Sequence, residues 1–143
     1  MKFPYSKFSL PNKTSFFGKH LLKPIIPIGV FYKNKKIRYS ALIDSGADFC
    51  IFDAEVGEYL GIDVKSGEKI TFKGIEGANT VEAFLHEIIL DIGGWDYKTT
   101  VGFSYHISRS GFGVLGQKGF FDIFIVKFDL LKEEIELKER KKI

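Results

Sequence analysis

Cysteine is almost missing from this sequence: Cys50 is the only one in 143 residues, so no disulfide can form within the chain. A lone thiol suits a reducing compartment. Proline is scarce, with four residues, and no apolar run approaches the roughly 20 residues that span a bilayer. The first residues, Met1-Lys2-Phe3-Pro4-Tyr5-Ser6-Lys7, lack the continuous apolar stretch of a secretory signal. These absences lead to the expectation of a cytoplasmic, soluble protein without a membrane partner. Excess charge of one sign is also lacking. The net charge is +3, and much of the surplus sits in Lys138, Arg140, Lys141 and Lys142, which read as a solvated tail rather than a basic face. No nucleic-acid partner is expected. His20, His86 and His106 are scattered, and Leu90 stands where a His-Glu-x-x-His helix would place its second histidine after His86-Glu87. Neither a metal nor a cofactor is expected.

What the sequence does hold is aromatic and apolar matter in short stretches. Hydrophobic residues make up 45%, charged residues 27%, and phenylalanine alone contributes 15 residues, a balance that suits a soluble domain built from half-buried strands. Residues 1–22 mix aromatics with Pro4, Pro11, Asn12 and Gly18 without a clear period, and read as an arm or cap. The domain proper is expected over residues 23–138, followed by a basic tail at 139–143. Within it, Ile25 to Tyr32 and Ile37 to Ile43 are strand candidates around the polar turn Lys33-Asn34-Lys35-Lys36. A helix is expected from Asp53, which can cap it, to Leu60, with Val56, Tyr59 and Leu60 on one face and Gly61 as its stop. Lys69 to Lys73 and Thr80 to Phe84 flank Gly74-Ile75-Glu76-Gly77 as a second hairpin. Leu85 to Ile92 and Trp95 to Phe103 flank Gly93-Gly94 as a third. A second short helix is expected near 117–122, and a final hairpin from Ile123 to Phe128 and Glu134 to Lys138. The sum is mostly β.

One segment combines features that a surface turn would not need. In Ala41-Leu42-Ile43-Asp44-Ser45-Gly46-Ala47-Asp48 an apolar strand ends at a carboxylate, followed by a hydroxyl residue and a glycine. The strand gives the carboxylate a rigid mount. Gly46 allows a sharp turn and lets a backbone N–H approach the carboxylate, and Ser45 can donate and accept hydrogen bonds. Asp, Ser and Gly are ordinary turn residues, so the tripeptide alone reads as a hairpin turn. Its setting argues otherwise, because Phe49-Cys50-Ile51-Phe52 after it is as apolar as the strand before it.

With its flanks, Leu42-Ile43-Asp44-Ser45-Gly46-Ala47-Asp48 resembles the active-site signature of retropepsins, the single-lobed aspartic peptidases of retroviruses and their cellular and bacterial relatives. Gly113-Val114-Leu115-Gly116 is similar to the family's second landmark, an apolar strand crossing behind the catalytic loop. Gly74-Ile75-Glu76-Gly77 falls where the family has its flap, although a plain glycine-rich turn accounts for those four residues equally well. The resemblance runs from about Pro24 to Leu137. It implies a closed acid-protease-type β-barrel with one lobe per chain and one or two short helices. It further implies Asp44 as catalytic carboxylate, supported by Ser45, Gly46 and Ala47, with Asp48, Gly74, Ile75, Glu76, Gly77, Val114 and Leu115 near substrate and Gly116 as a structural landmark. There are two departures: Ser45 stands where many members have Thr, a conservative change, and Gln117-Lys118 follow Gly116 where the family often has Arg and then Asp or Asn. Lys118 can offer Asp48 a charge but lacks the guanidinium fork.

The resemblance also implies a homodimer. Peptide hydrolysis by this chemistry needs two carboxylates in one site, one taking a proton from water and one donating to the carbonyl oxygen. The other aspartates, Asp48, Asp53, Asp63, Asp91, Asp96, Asp122 and Asp129, are followed by Phe, Ala, Val, Ile, Tyr, Ile and Leu. None opens a second Asp-Ser/Thr-Gly loop, so the partner carboxylate has to be Asp44 of a second copy on a two-fold axis. The expected function is an aspartic endopeptidase acting on an extended peptide. The alternative is a dimeric peptide- or protein-binding module of the same fold without turnover. Cys50 reads as a buried small hydrophobe, and Gly111-Phe112-Gly113 as core packing rather than a nucleotide loop.

Overall fold

A computed structural model of the chain describes residues 1–73, 80–107 and 111–141. The elements in order are β1 (Lys2–Pro4), β2 (Ser6–Thr14), β3 (Gly18–Lys23), β4 (Ile25–Tyr32), β5 (Lys35–Ile43), β6 (Ile51–Asp53), α1 (Ala54–Tyr59) and a 3-10 turn at Val64–Ser66. They continue with β7 (Glu68–Lys73), β8 (Thr80–Ile92), β9 (Trp95–Ser104), β10 (Gly113–Leu115), β11 (Phe124–Asp129) and β12 (Glu134–Glu139).

The largest sheet runs β4-β5-β10-β6-β9-β8-β7, and β4 also pairs with β8 through Gly29 opposite Asp91 and Phe31 opposite Ile89. That extra pairing closes six strands into a ring and leaves β7 attached outside on β8. The closed, mostly β architecture expected from the sequence is the one that forms. Alternation sets its inner face: Ile26, Ile28 and Val30 of β4, Leu90 and Ile92 of β8, and Val101 and Phe103 of β9 are all buried. Phe52, Phe103, Phe120 and Phe124 are fully enclosed, each stabilising the fold by roughly 1.5–3 kcal/mol relative to an exposed ring. A second sheet, β1-β12-β11, joins the two ends of the chain, with Phe3 opposite Ile135. β2 and β3 form a separate two-stranded hairpin.

Several local expectations are corrected. Lys33 adopts φ 53°, and this tight turn lets pairing begin at Tyr32–Lys35, so the first hairpin has a two-residue loop and β5 starts two residues early. Thr80 to Phe84 and Leu85 to Ile92 are one continuous strand, with no glycine or proline between them to break it. α1 forms as expected, with the Asp53 side chain accepting from the Glu55 N–H at 2.9 Å and Gly61 at φ 83° beyond its end. Tyr59, however, turns to solvent while Val56 and Leu60 are buried. Residues 117–122 make turns rather than a second helix. Gly119 sits at φ 100°, and the N–H groups of Phe121 and Asp122 reach back five residues to the carbonyls of Gly116 and Gln117. Within the aperiodic first 22 residues, β1 and β2 tolerate Pro4 and Pro11 because proline's missing N–H costs least on strands at a sheet edge.

Candidate active site

β5 delivers Asp44 to the end of the ring, and the backbone holds it there. The Ile43 N–H donates to the Pro24 carbonyl at 2.9 Å, and the Asp44 N–H donates to the Leu115 carbonyl of β10 at 3.0 Å. β10 lies parallel to β5, pairing Leu115 with Ile43, and antiparallel to β6 on its other side. The strand Gly113–Leu115 thus runs directly beside the one that ends in the carboxylate. Gly113 is needed there, since a Cβ would stand 2.7 Å from ring atoms of both Phe52 and Tyr39.

Beyond Asp44 the chain turns at once. The Ala47 N–H donates to the Asp44 carbonyl at 3.2 Å, and the Gly46 N–H donates to Asp44 Oδ1 at 2.9 Å. A Cβ on Gly46 would lie 3.2 Å from that oxygen, so glycine keeps the N–H within reach without crowding the acceptor. The loop is then fastened to the segment following β10. The Gln117 N–H donates to the Ala47 carbonyl at 2.8 Å, the Lys118 N–H to the Asp48 carbonyl at 2.9 Å, and the Cys50 N–H to the Lys118 carbonyl at 3.3 Å. The Gln117 side-chain amide donates to the Ser45 carbonyl at 2.9 Å. Gly116 lies under the loop, where an added Cβ would come within 2.4 Å of the Phe49 carbonyl oxygen and 2.8 Å of that of Ala47.

Asp44 is half-buried and lines a groove of about 510 Å³ together with Gly46, Ala47, Asp48, Phe49, Ile51, Thr71, Phe72, Lys73 and Val114. One wall is the last turn of β7, where Phe72 meets Phe49 edge-to-face at 5.3 Å between ring centres. A neighbouring cavity of about 580 Å³ shares Asp48 and Phe49 and adds the apolar side chains of Ile70 and Leu85. The two spaces together suit a ligand with several side chains.

The structure therefore brings together Asp44, Gly46, Ala47, Asp48 and Val114 on one groove, with Ser45 exposed above and Gly116 beneath. Leu115, expected near substrate, is fully enclosed in the core and acts through its carbonyl instead. Gly74, Ile75, Glu76 and Gly77, the expected flap, lie outside the described residues; the strands leading to them close with Lys73 opposite Thr80. Lys118 and Asp48 are joined by main-chain atoms, and their side chains form no ion pair. Phe49, Phe72 and Lys73 are not among the site residues expected from sequence, and Gln117 enters there only as a departure from the family pattern. Phe72 and Lys73 border the glycine-rich segment, and that position was the available clue.

Two titratable groups behind the site are tuned by burial. The Cys50 thiol is pushed up to about 12, chiefly by its apolar surroundings, although the Gly116 N–H at 3.4 Å works the other way. It stays protonated at neutral pH and is no nucleophile. Tyr39, packed edge-to-face on Phe52, is likewise pushed up to about 12 by burial. His86 binds the Val64 carbonyl at 2.7 Å and faces the Phe103 ring, a structural position. Among the described residues no three His, Cys, Asp or Glu side chains gather as a metal site would require.

Neither a protein-family model nor a curated protein sequence matches the chain. Solved structures do. A retropepsin-like aspartic protease from Rickettsia conorii aligns at TM-score 0.52 and 21% identity, over 78% of this chain and 88% of that one. The EIAV protease, in complex with the inhibitor HBY-793, aligns at TM-score 0.47 and 21% identity, over 66% of this chain and 82% of that one. The Rickettsia likeness identifies the fold as the retropepsin-like one.

Proposed function

We propose that this chain, which has the retropepsin-like fold, is one half of a homodimeric aspartic endopeptidase whose dyad is Asp44 from each subunit. The observation that supports it most directly is the mounting of Asp44. A carboxylate ends a core strand, lines an open groove, and has one oxygen held by the Gly46 N–H while main-chain bonds fasten its loop to the strand beside it.

In the dimer the two Asp44 side chains meet on the two-fold axis. Two carboxylates at about 3 Å cannot both ionise, so the pair holds one proton, as in aspartic proteases as a class. The titration then belongs to the pair rather than to one residue. The ionised member takes a proton from water, whose oxygen attacks the peptide carbonyl carbon, while the protonated member donates to the carbonyl oxygen. The tetrahedral diol collapses when its C–N bond breaks, with the proton taken from water passing to the leaving nitrogen. One carboxylate then recovers the proton from the diol hydroxyl, returning the dyad to its starting state. The Gly46 N–H holds one carboxylate oxygen and limits rotation of the side chain. Val114 and Ile51 supply apolar walls, while Asp48, Phe49, Phe72 and Lys73 border the path of an extended peptide. A chain whose one thiol is buried suits the reducing cytoplasm, where we place the activity.

Cleavage of a peptide library by wild type and Asp44→Asn between about pH 4 and 7 tests this reading. Asp44→Asn is expected to lose at least about a thousandfold in kcat/KM, because neither proton transfer survives. Equal cleavage by both proteins rejects the assignment. Peptide binding without cleavage by wild type assigns the fold to a binding module instead.

A further inference from the structure

We propose that the β2–β3 hairpin is a finger that docks the protein on an anionic phospholipid surface. Among the described residues its two strands pair with each other and with no other strand, and the hydrogen bond and ion pair that tie it to the rest of the molecule lie at its root, at Ser6 and Lys7. Such a hairpin has little stability of its own in water. It nevertheless presents its most apolar side chains at the far end. Phe16 and Phe17 occupy the turn, 86% and 54% exposed, in edge-to-face contact at 4.8 Å. Phe8 on β2 is also exposed, with the Lys23 ammonium 5.9 Å above its ring.

The charges around this tip have one sign. Lys7, Lys13, Lys19 and Lys23 lie in the hairpin's sequence, and no acidic residue does. The segregation reaches further: all 18 acidic residues lie from Asp44 onward, whereas nine of the 21 Lys and Arg precede it. Of the hairpin lysines, Lys7 at the root is engaged by Glu133 at 3.5 Å. In the sequence Lys13 and Lys19 stand on either side of the aromatic tip, and Lys19 is exposed. An apolar end bracketed in sequence by cations matches a surface that is negative at its headgroups and apolar just below them. The aromatic rings would enter the headgroup–acyl boundary while the lysine stems reach back to the phosphates. The root is anchored, with Ser6 Oγ donating to the Ile25 carbonyl at 2.8 Å, so docking at the tip would tether the whole domain. This revises the expectation of no membrane partner, which rested on spanning segments. Among the described residues no helix is long and apolar enough to cross a membrane, and a docking finger needs none.

Co-sedimentation of the full chain with vesicles of phosphatidylcholine alone, and of phosphatidylcholine mixed with phosphatidylglycerol, tests the inference. Binding is expected to the mixed vesicles only, and to fall as salt screens the lysines. The double variant Phe16→Ser, Phe17→Ser should bind about tenfold more weakly or worse, and Lys19→Gln about fivefold more weakly. Because these side chains are exposed, both variants should keep the wild-type Tm, which separates lost docking from lost folding. Equal binding to both kinds of vesicle, or double-variant binding equal to wild type, overturns the proposal. So does a wild type that ignores vesicles but loses self-association when the two phenylalanines are replaced, which would assign the tip to a second copy of the chain. Peptide cleavage is not part of the readout, so the result stands apart from the fate of the peptidase assignment.

Discussion

At the scale of single residues, Gly116 shows how little room the site leaves. A methyl group there would press on two main-chain carbonyls, and backbone cannot rotate aside as a side chain can. Gly116→Ala is therefore expected to destabilise the protein by about 1–3 kcal/mol, read as a lower urea midpoint with an unchanged slope. This glycine is visible in the sequence as part of Gly113-Val114-Leu115-Gly116, and Asp44, Ser45, Gly46 and Ala47 are visible as a run, because the turn they form depends on immediate neighbours. Gln117 was read only as a departure from a pattern. Its amide acts on the Ser45 carbonyl 72 positions earlier, and no local spacing reports a bond of that span. Leu115 was misjudged for the same reason: which side of β10 faces the groove is set by β5 and β6, not by the strand's own residues.

At the scale of elements, strands bounded by glycine or by polar turns were legible, and those defined only by their partners were not. β4, β9 and α1 fall close to their expected bounds, since Asp53, Gly61 and Gly93-Gly94 mark ends by local chemistry. The expected break within β8 falls where its partner changes, since Thr80 to Leu85 pair with β7 and Phe84 to Ile92 pair with β9, a switch the sequence does not mark. The contact between β7 and the Asp44 loop is also invisible in the sequence, since it includes the meeting of Phe72 with Phe49 across the fold. Removing it should loosen one wall of the groove without touching Asp44. Phe72→Ala is expected to lower kcat/KM about five- to tenfold, mainly through KM, consistent with the loss of one aromatic pair. Steady-state kinetics on a single cleaved peptide would separate this from a change in kcat.

At the scale of the whole molecule, the ring closes where β4 lies between β5 and β8. There Lys36 of β5 reaches over Gly29 to Asp91 of β8, and a Cβ on Gly29 would collide with the lysine stem at 2.6 Å. The hydrogen bond from Lys36 is the chief cause holding the Asp91 carboxyl below its ordinary value of 3.8. A carboxylate depressed on folding stabilises the native state above its unfolded pKa, and that stability is lost as pH falls through the folded value. Wild type should accordingly exceed Asp91→Asn in stability at neutral pH, with the two converging as pH drops below the ordinary carboxylate range. The pair is partly exposed, so solvent screening limits the difference to at most about 1 kcal/mol. Denaturant midpoints across that pH range check both sign and window. Assembly supplies a second test at this scale. With one Asp44 per chain, specific activity is expected to fall on dilution in step with the dimer fraction found by sedimentation; a constant value in a proven monomer would contradict the shared dyad.

The bonds that fasten the Asp44 loop to the end of β10 run almost entirely between peptide groups. Peptide groups are common to every amino acid, so substitutions at 45, 47, 48, 117 or 118 can accumulate while the carboxylate keeps its place. Divergence of this kind changes the letters of the sequence and spares the geometry. Distant kin of this chain are thus better sought by two small residues, the turn glycine after the aspartate and the enclosed glycine ending the neighbouring strand, than by overall resemblance of text.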